Sequence, residues 1–393
     1  MKDTVIVSGV RTPIGSFGGA LSSFSLGDIC TSVTTEALSR AAVPHADVGH
    51  VVFGNVIHTD PMDMYLARVA SVNAGVPHSV PALTLNRLCG SGLQAVITAS
   101  SYISSGEVKC CIAGGGELMS QAPYWLKSNR WGQRMGDSTA VDAMVGALTD
   151  PFDKCHMGVT AENIAKKWKI NREEQDNYAL ESHRRAIAAQ DAGFFEHEIL
   201  ALKNESRRSE TIINEDEGPR RTVDYAKLAS MPPVFNRKNG VVTAGNSSTI
   251  NDGAAALVLM DREHADKRGC DYFARIVDSE LVGVDPKYMG IGPVPAINNI
   301  ILRNNISVED IDLWEINEAF ASQVIAVIRE IGINPEKINP NGGGISLGHP
   351  IGATGAILLV KSIYELRRTS GRYALISMCI GGGQGIAMLI ERC

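Results

Sequence analysis

The chain of 393 residues has no apolar run approaching the ~18–20 residues of a membrane span, so no contact with a membrane is expected. It has no excess of positive charge. The 37 Lys and Arg stand against 43 Asp and Glu, a net charge of −6. That balance argues against broad, nonspecific nucleic-acid binding and leaves only a local basic patch open. None of the eight cysteines forms a Cys-x-x-Cys pair, so neither a zinc site nor a thioredoxin motif is expected, and no metal is expected at all. The start, Met1-Lys2-Asp3-Thr4-Val5-Ile6-Val7, reads directly as a strand. It lacks a signal-peptide apolar core and the Arg-rich, acid-poor character of a presequence. The end, Ile390-Glu391-Arg392-Cys393, is neither a Ser-Lys-Leu tail nor a prenylation box. A cytoplasmic location is the expectation, with the cysteines as thiols and most of them packing in the core.

Hydrophobic residues at 44% and charged residues at 20% are ordinary globular composition, which excludes disorder. The length suits two or three domains, or one duplicated unit with an insertion. Short apolar runs alternate with helical stretches, which predicts α/β architecture. Strands are expected at Thr4–Val10, Val51–Ile57 and Lys109–Ile112, with helices at Leu26–Ala42 and Gly92–Ser104. The order then recurs. A helix at Pro295–Asn304 precedes a strand at Asp310–Ile316, and a helix at Gly352–Arg368 precedes a strand at Tyr373–Cys379. Asp47–Phe53 lies against Asp310–Ile316 at an offset of about 263, and Cys111–Gly116 lies against Cys379–Gly383 at about 267. Two matches at nearly one offset favour duplication, and the period is far too long for a solenoid. Between the halves, Asn171 and Glu174 form a capping box before a charged helix reaching about Gln190. Residues 203–240 read as polar and loop-rich, a place for a substrate lid.

Four segments carry chemistry. In Asn86-Arg87-Leu88-Cys89-Gly90-Ser91-Gly92, a strand ends in Cys and Gly-Ser-Gly opens a helix. A thiol at a helix N-terminus is biased toward thiolate, and flanking glycines permit a strained turn. The plainer reading is a small residue packing beside glycines. His349, inside Gly348-His349-Pro350-Ile351-Gly352, can act as a general base or orient a thiol. It can equally be incidental to a phosphate-cradling glycine loop, although the strict dinucleotide and P-loop signatures are absent. Cys379-Ile380-Gly381-Gly382-Gly383 delivers a second Cys into a glycine turn whose N–H groups can converge as an oxyanion hole. Asn317 follows the strand Leu313–Ile316, where it can hold a water or a carbonyl, or simply cap a helix. Two Cys, one His and one Asn at strand ends of repeated units suit a covalent nucleophile with a separate proton shuttle.

Taken together, these segments resemble the thiolase family, specifically its biosynthetic acetoacetyl-CoA thiolases and β-ketothiolases. Arg11-Thr12-Pro13-Ile14-Gly15, His156-Met157-Gly158-Val159, Thr243-Ala244-Gly245-Asn246-Ser247-Ser248 and Asn251-Asp252-Gly253 extend the resemblance over essentially the whole chain. It implies two five-layered α/β/α/β/α halves with an inserted loop domain. Residues 1–119 with 251–271 would form the first half, 120–250 the CoA-binding insertion, and 272–393 the second half. The implied activity is ping-pong condensation of two acetyl-CoA to acetoacetyl-CoA and CoA, or the reverse cleavage of short 3-ketoacyl-CoA. By the same match Cys89 is acylated, His349 activates it, and Cys379 exchanges the proton of the acetyl methyl group. Asn317 would hold a water, and the Cys89 and Gly381 N–H groups would form an oxyanion hole. Coenzyme A contacts would fall on Leu148, His156, Met157, Arg220, Phe235, Ala244, Ser248 and Phe320. Arg207-Arg208 and Arg220-Arg221 are candidates for the phosphates, the former more plainly a solvated surface pair. No tightly bound cofactor is implied, acetyl-CoA and CoA being substrates, and the assembly would be a homotetramer or a dimer.

Two other readings compete. A decarboxylating ketoacyl synthase of the same architecture pairs one Cys with two His, which Cys379 disfavours. A noncatalytic acyl-CoA-binding relative would have lost a catalytic group, and none is missing.

Overall fold

The computed structural model describes residues 2–205 and 210–393, so the Arg207-Arg208 pair lies outside the described residues. In chain order, the elements that position the site are β1 (Thr4–Arg11), α1 (Leu26–Ala41), β2 (His50–Gly54), α2 (Leu66–Asn73), β3 (Ala82–Leu85), α3 (Ser91–Ser104) and β4 (Cys110–Leu118). After the insertion, which carries α4 (Met157–Lys167) and α5 (Arg172–Asp191), β5 (Asn251–Asp261) returns to the sheet between β1 and β4. The second unit is β6 (Ala274–Gly283), α6 (Pro293–Asn304), β7 (Leu313–Ile316), α7 (Ala321–Ile331), α8 (Thr354–Thr369), β8 (Tyr373–Ile380) and β9 (Gln384–Arg392).

The strand order is β7-β8-β9-β6-β1-β5-β4-β2-β3, with Gly15–Ser16 pairing on β5. β2 runs parallel to β3 and β4, and β7 runs parallel to β8, while the inner pairs are antiparallel. The duplication expected from sequence is therefore written in topology. β1, β2, β4 and β5 correspond to β6, β7, β8 and β9. β3 has a vestigial counterpart in the single parallel bridge Trp314–Ile338. The two half-sheets are joined edge to edge through one short pairing, Val5–Arg275 and Ile6–Ala274.

Strand alternation sorts the layers. On β1 and β5, Val5, Val7, Ala256, Val258 and Met260 pack with Ile29 and Val33 of α1, while Ile6, Leu257 and Leu259 face the middle. Leu93, Val96 and Ala99 of α3 share that middle with Ile357, Leu358 and Ile363 of α8. Ile297 and Ile300 of α6 and Val324 and Val327 of α7 cover the other face with Trp314 and Leu375. The layers are thus helices, sheet, paired central helices, sheet, helices. Twelve of the sixteen residues of α8 are buried, as a helix enclosed on all sides requires. Its one buried cation is satisfied, with Lys361 Nζ 2.9 Å from Glu315 Oε2 and 2.8 Å from the Gly342 carbonyl.

The strand expected at Lys109–Ile112 is longer than expected. Gly114–Gly116 lie within β4, whose pairing with β5 continues through them to Leu118. A Cβ on Gly115 would sit 2.2 Å from the Gly352 carbonyl oxygen. The glycine there serves close approach between sheet and His349 loop. In the insertion, the capping box at Asn171 and Glu174 opens α5 as expected. Arg11 at the end of β1 anchors the insertion through Asp216 (2.7 and 2.9 Å) and Glu198 (2.8 Å), all buried.

Candidate active site

The turn before α3 places Cys89. Leu88 holds the backbone at φ 46, stabilised by Asn86 Oδ1 accepting its N–H at 2.8 Å. The strain therefore sits on Leu88 and not on the flanking glycines, since Gly90 has φ −82. Gly90 is required for space, because a Cβ there would lie 2.6 Å from Ile380 Cδ1. Cys89 thus reaches a cavity of about 220 Å³, shared with His349, Cys379 and Gly381.

Burial dominates at both thiols. It pushes Cys89 up to about 11, against the pull of N–H donors from Gly381 and from Cys89 itself, with the Glu117 charge adding to the rise. Cys379 is pushed up strongly by burial and then by the adjacent Cys89. The expected bias of Cys89 toward thiolate is thus corrected: desolvation outweighs the helix terminus. Between about pH 6 and 9, the far-ultraviolet absorbance of wild type minus Cys89→Ser should show no thiolate step. A step in that window would contradict the neutral resting thiol.

His349 is set by its own loop. Gly348 takes φ +118, and Asn251 Oδ1 accepts the His349 backbone N–H at 2.9 Å. Thr354 Oγ1 donates to the Pro350 carbonyl at 2.9 Å and lies 2.7 Å from His349 Nδ1. The hydroxyl proton being committed, Thr354 must accept from Nδ1–H, which leaves Nε2 bare. Nε2 meets Asn317 Nδ2 at 3.3 Å. Burial lowers the imidazole to about 4, so it is neutral and able to take a proton. Asn317 is wholly buried, and its Oδ1 has no protein partner.

β8 carries Cys379 to the rim, and the chain reverses at Gly381–Gly383 into β9. Gly382 and Gly383 have φ +81 and +83, which only glycine adopts without strain. A Cβ on Gly381 would press Met157 Cε at 3.1 Å and Leu88 Cδ1 at 3.2 Å.

The insertion builds most of the remaining wall. Leu148, His156, Met157, Phe235, Ala244 and Ser248 from it, with Phe320 before α7, all line the cavity. His156 caps α4, its Nδ1 accepting from Gly158 N–H at 3.1 Å, and stacks on Phe235 with centroids 4.7 Å apart. Burial lowers its pKa, so the ring presents Nε2–H as a donor. Ser248 N–H donates to Ala319 O at 3.0 Å, pinning this segment beside Asn317. Arg220 is not brought in. It is exposed and outside the cavity lining, and Arg221 pairs with Asp191 at 2.6 Å. Sequence reasoning missed Thr354, the Asn251 contact, Met289 and Glu117. Thr354 and Asn251 stood inside recognised segments, but their roles depend on hydrogen bonds that spacing does not reveal. Glu117 had one signal, an acid in the otherwise apolar strand Cys110–Leu118.

Comparison with known proteins places this geometry. Over 391 residues the chain is 54% identical to the beta-ketothiolase BktB of Cupriavidus necator, covering 100% of this chain and 99% of that protein. The crystal structure of the Bacillus anthracis acetyl-CoA acetyltransferase superposes with a TM-score of 0.98 at 44% identity, covering 100% of this chain and 99% of that one. That of human mitochondrial 3-ketoacyl-CoA thiolase in complex with CoA gives 0.96 at 41%, covering 100% and 98%. Residues 4–263 match the family described as "Thiolase, N-terminal domain" and residues 270–392 the one described as "Thiolase, C-terminal domain". With both halves matched and two thiols and a neutral imidazole on one cavity, the chain belongs to the thiolase family.

Proposed function

We propose that this chain is an acetyl-CoA C-acetyltransferase, joining two acetyl-CoA into acetoacetyl-CoA and CoA and catalysing the reverse thiolysis. The observation that carries the reading is the opening of Cys89, His349 and Cys379 onto one cavity. The full-length likeness to an acetyl-CoA acetyltransferase and to a thiolase holding CoA supports the substrate class.

The resting charges define the proton path. Cys89 starts as a thiol and His349 as a neutral base. The Cys89 proton passes to His349 Nε2 as sulfur attacks the thioester carbon. The CoA thiolate leaves and takes the proton of Cys379. Cys379 is then the base that removes the methyl proton of the second acetyl-CoA. Imidazolium Nε2–H, with a water held by Asn317 Oδ1, stabilises the enolate oxygen. The enolate carbon attacks the acyl carbon, Cys89 departs, and His349 returns its proton. The Cys89 and Gly381 N–H groups, which already converge on the Cys89 sulfur, stabilise the tetrahedral oxygen of each acyl step. Loss of the burial that raises Cys379 would weaken it as a base, so a dry cavity serves the α-proton step.

His156, Met157, Leu148, Phe235, Ala244, Ser248 and Phe320 would hold pantetheine and acyl group, with Arg220 able to meet only the distal, solvent-facing part of CoA. The chain would divide into 1–119 with 251–271, 120–250, and 272–393, since β5 completes the first sheet after the insertion. Assembly as a homotetramer fits the exposed apolar side chains of Met62, Met64 and Tyr65 and of Trp125, Trp131 and Met135. Among the described residues no helix is long and apolar enough to cross a membrane. A cytoplasmic setting suits eight free thiols.

The test is cleavage of acetoacetyl-CoA. Consumption should require CoA and give two acetyl-CoA; no CoA-dependent cleavage would overturn the reading. Met157, Met289 and Phe320 wall the cavity and favour short chains. Cleavage efficiency should fall steeply from 4-carbon to 16-carbon 3-ketoacyl-CoA, and equal efficiency would contradict the assigned acyl wall.

A further inference from the structure

The reaction above uses no carboxylate, yet one lies fully buried behind it. Glu117 sits near the end of β4 with 0% exposure. Its Oε1 accepts from Ile57 N–H at 2.9 Å and Asn55 Nδ2 at 3.1 Å, and its Oε2 from Val56 N–H at 3.1 Å and Gly352 N–H at 2.8 Å. These donors come from two separate places. Asn55–Ile57 follow β2 and run behind the nucleophile. Gly54 there is so close that a Cβ would lie 2.6 Å from the Ser91 carbonyl carbon, and Ile57 and Val56 pack in one cluster with Cys89. Gly352 lies between His349 and Thr354, the residue that fixes the imidazole tautomer. Gly352 also has no room to move inward, since a Cβ on it would come within 2.4 Å of Glu117 Oε2. Burial pushes the Glu117 carboxyl up to about 8, against the pull of its three backbone donors. A carboxyl buried against that penalty, and satisfied by donors from the segment behind Cys89 and from the loop carrying His349, is placed to hold the two together.

We propose that Glu117 is a positioning residue of this reaction, whose carboxyl group ties the segment behind Cys89 to the loop carrying His349 and so fixes the approach of imidazole to thiol. The inference rests on the reading of Cys89 as nucleophile and His349 as its base. Four donors converge on two acceptor oxygens. The amide of Glu117→Gln has one acceptor oxygen and turns an NH2 toward at least one of those donors. Glu117→Asp keeps the carboxyl group but draws it back by one methylene, too short to serve both segments.

The experiment combines turnover, active-site counting and a chemical probe. Sites are counted by titratable thiol, kcat and KM are measured per site, and iodoacetamide alkylation of Cys89 is followed by peptide mass spectrometry. Glu117→Gln should lose roughly 10²-fold in kcat per site, and Glu117→Asp roughly tenfold, with KM for acetyl-CoA changed less than about threefold. Cys89 alkylation should slow about tenfold in Glu117→Gln, because the base is no longer aligned. A merely structural role would lower the melting temperature and the number of competent sites while leaving kcat and alkylation per site unchanged, and that result overturns the proposal. If Glu117→Gln does not fold, Glu117→Asp decides by the same criterion. Wild-type protein that alkylates normally but never condenses acetyl-CoA would sink the functional reading, while the alkylation comparison would still decide the place of Glu117.

Discussion

Cys379→Ala is expected to take up one acetyl group from acetyl-CoA and then stop. The acyl transfer onto Cys89 relies on His349 to receive the thiol proton, and the N–H groups of Cys89 and Gly381 remain in place. What disappears is the group that must take a proton from the second substrate. The α-proton of a thioester is weakly acidic, so the step needs a strong base held within hydrogen-bond reach. Burial beside Cys89 makes Cys379 such a base once it has given its proton to departing CoA. Condensation should fall by about 10²–10⁴-fold, the usual scale for a removed acid or base. Acylation should be slowed less, since solvent or substrate can protonate the CoA thiolate. Near-normal condensation by this variant would show that another group performs the proton transfer.

A still larger effect is expected at Cys89. With Cys89→Ala, condensation and cleavage should both drop to the limit of detection, because the covalent step has no second route. Cys379 is 1% exposed at the end of β8, with a more strongly raised thiol than Cys89. It is therefore a poor substitute nucleophile. The variant should fold normally, since removing one sulfur at a cavity wall leaves no enclosed void. Binding of acetyl-CoA should persist, measured by calorimetry, because the insertion wall is untouched. Residual turnover comparable with Cys379→Ala would contradict a single acylated cysteine.

Much of the fold was legible because it is periodic. The duplicated order of strands and helices followed from apolar runs and from two segment matches at nearly one offset. The capping box at Asn171 was readable because its partners are three residues apart. Failures arose where the same letters serve different geometry. A Cys shortly before three glycines continues as strand in β4 but reverses the chain after β8. What decides is the neighbour: the sheet packs against the Gly352 loop in the first half, while the second half closes a hairpin. Around Cys89 the sequence suggested an activated thiolate at a helix end. Helix position is local and visible in sequence, but desolvation comes from the distant walls of the cavity. Likewise Asn251 and Glu117 act across separations of 98 and 235 residues, to His349 and to Gly352. Arg220 lies exposed outside the cavity, where only the distal, phosphate-bearing part of CoA would meet it.

The central claim is that Cys89 carries the acyl group between the two half-reactions. Wild-type enzyme is mixed briefly with acetyl-CoA labelled in the acetyl group, quenched in acid, digested and mapped by mass spectrometry. One labelled acetyl per chain is expected on the peptide containing Cys89, discharged by a chase with CoA. Turnover without any covalent label, or a full-strength label on Cys379 or elsewhere, would contradict it.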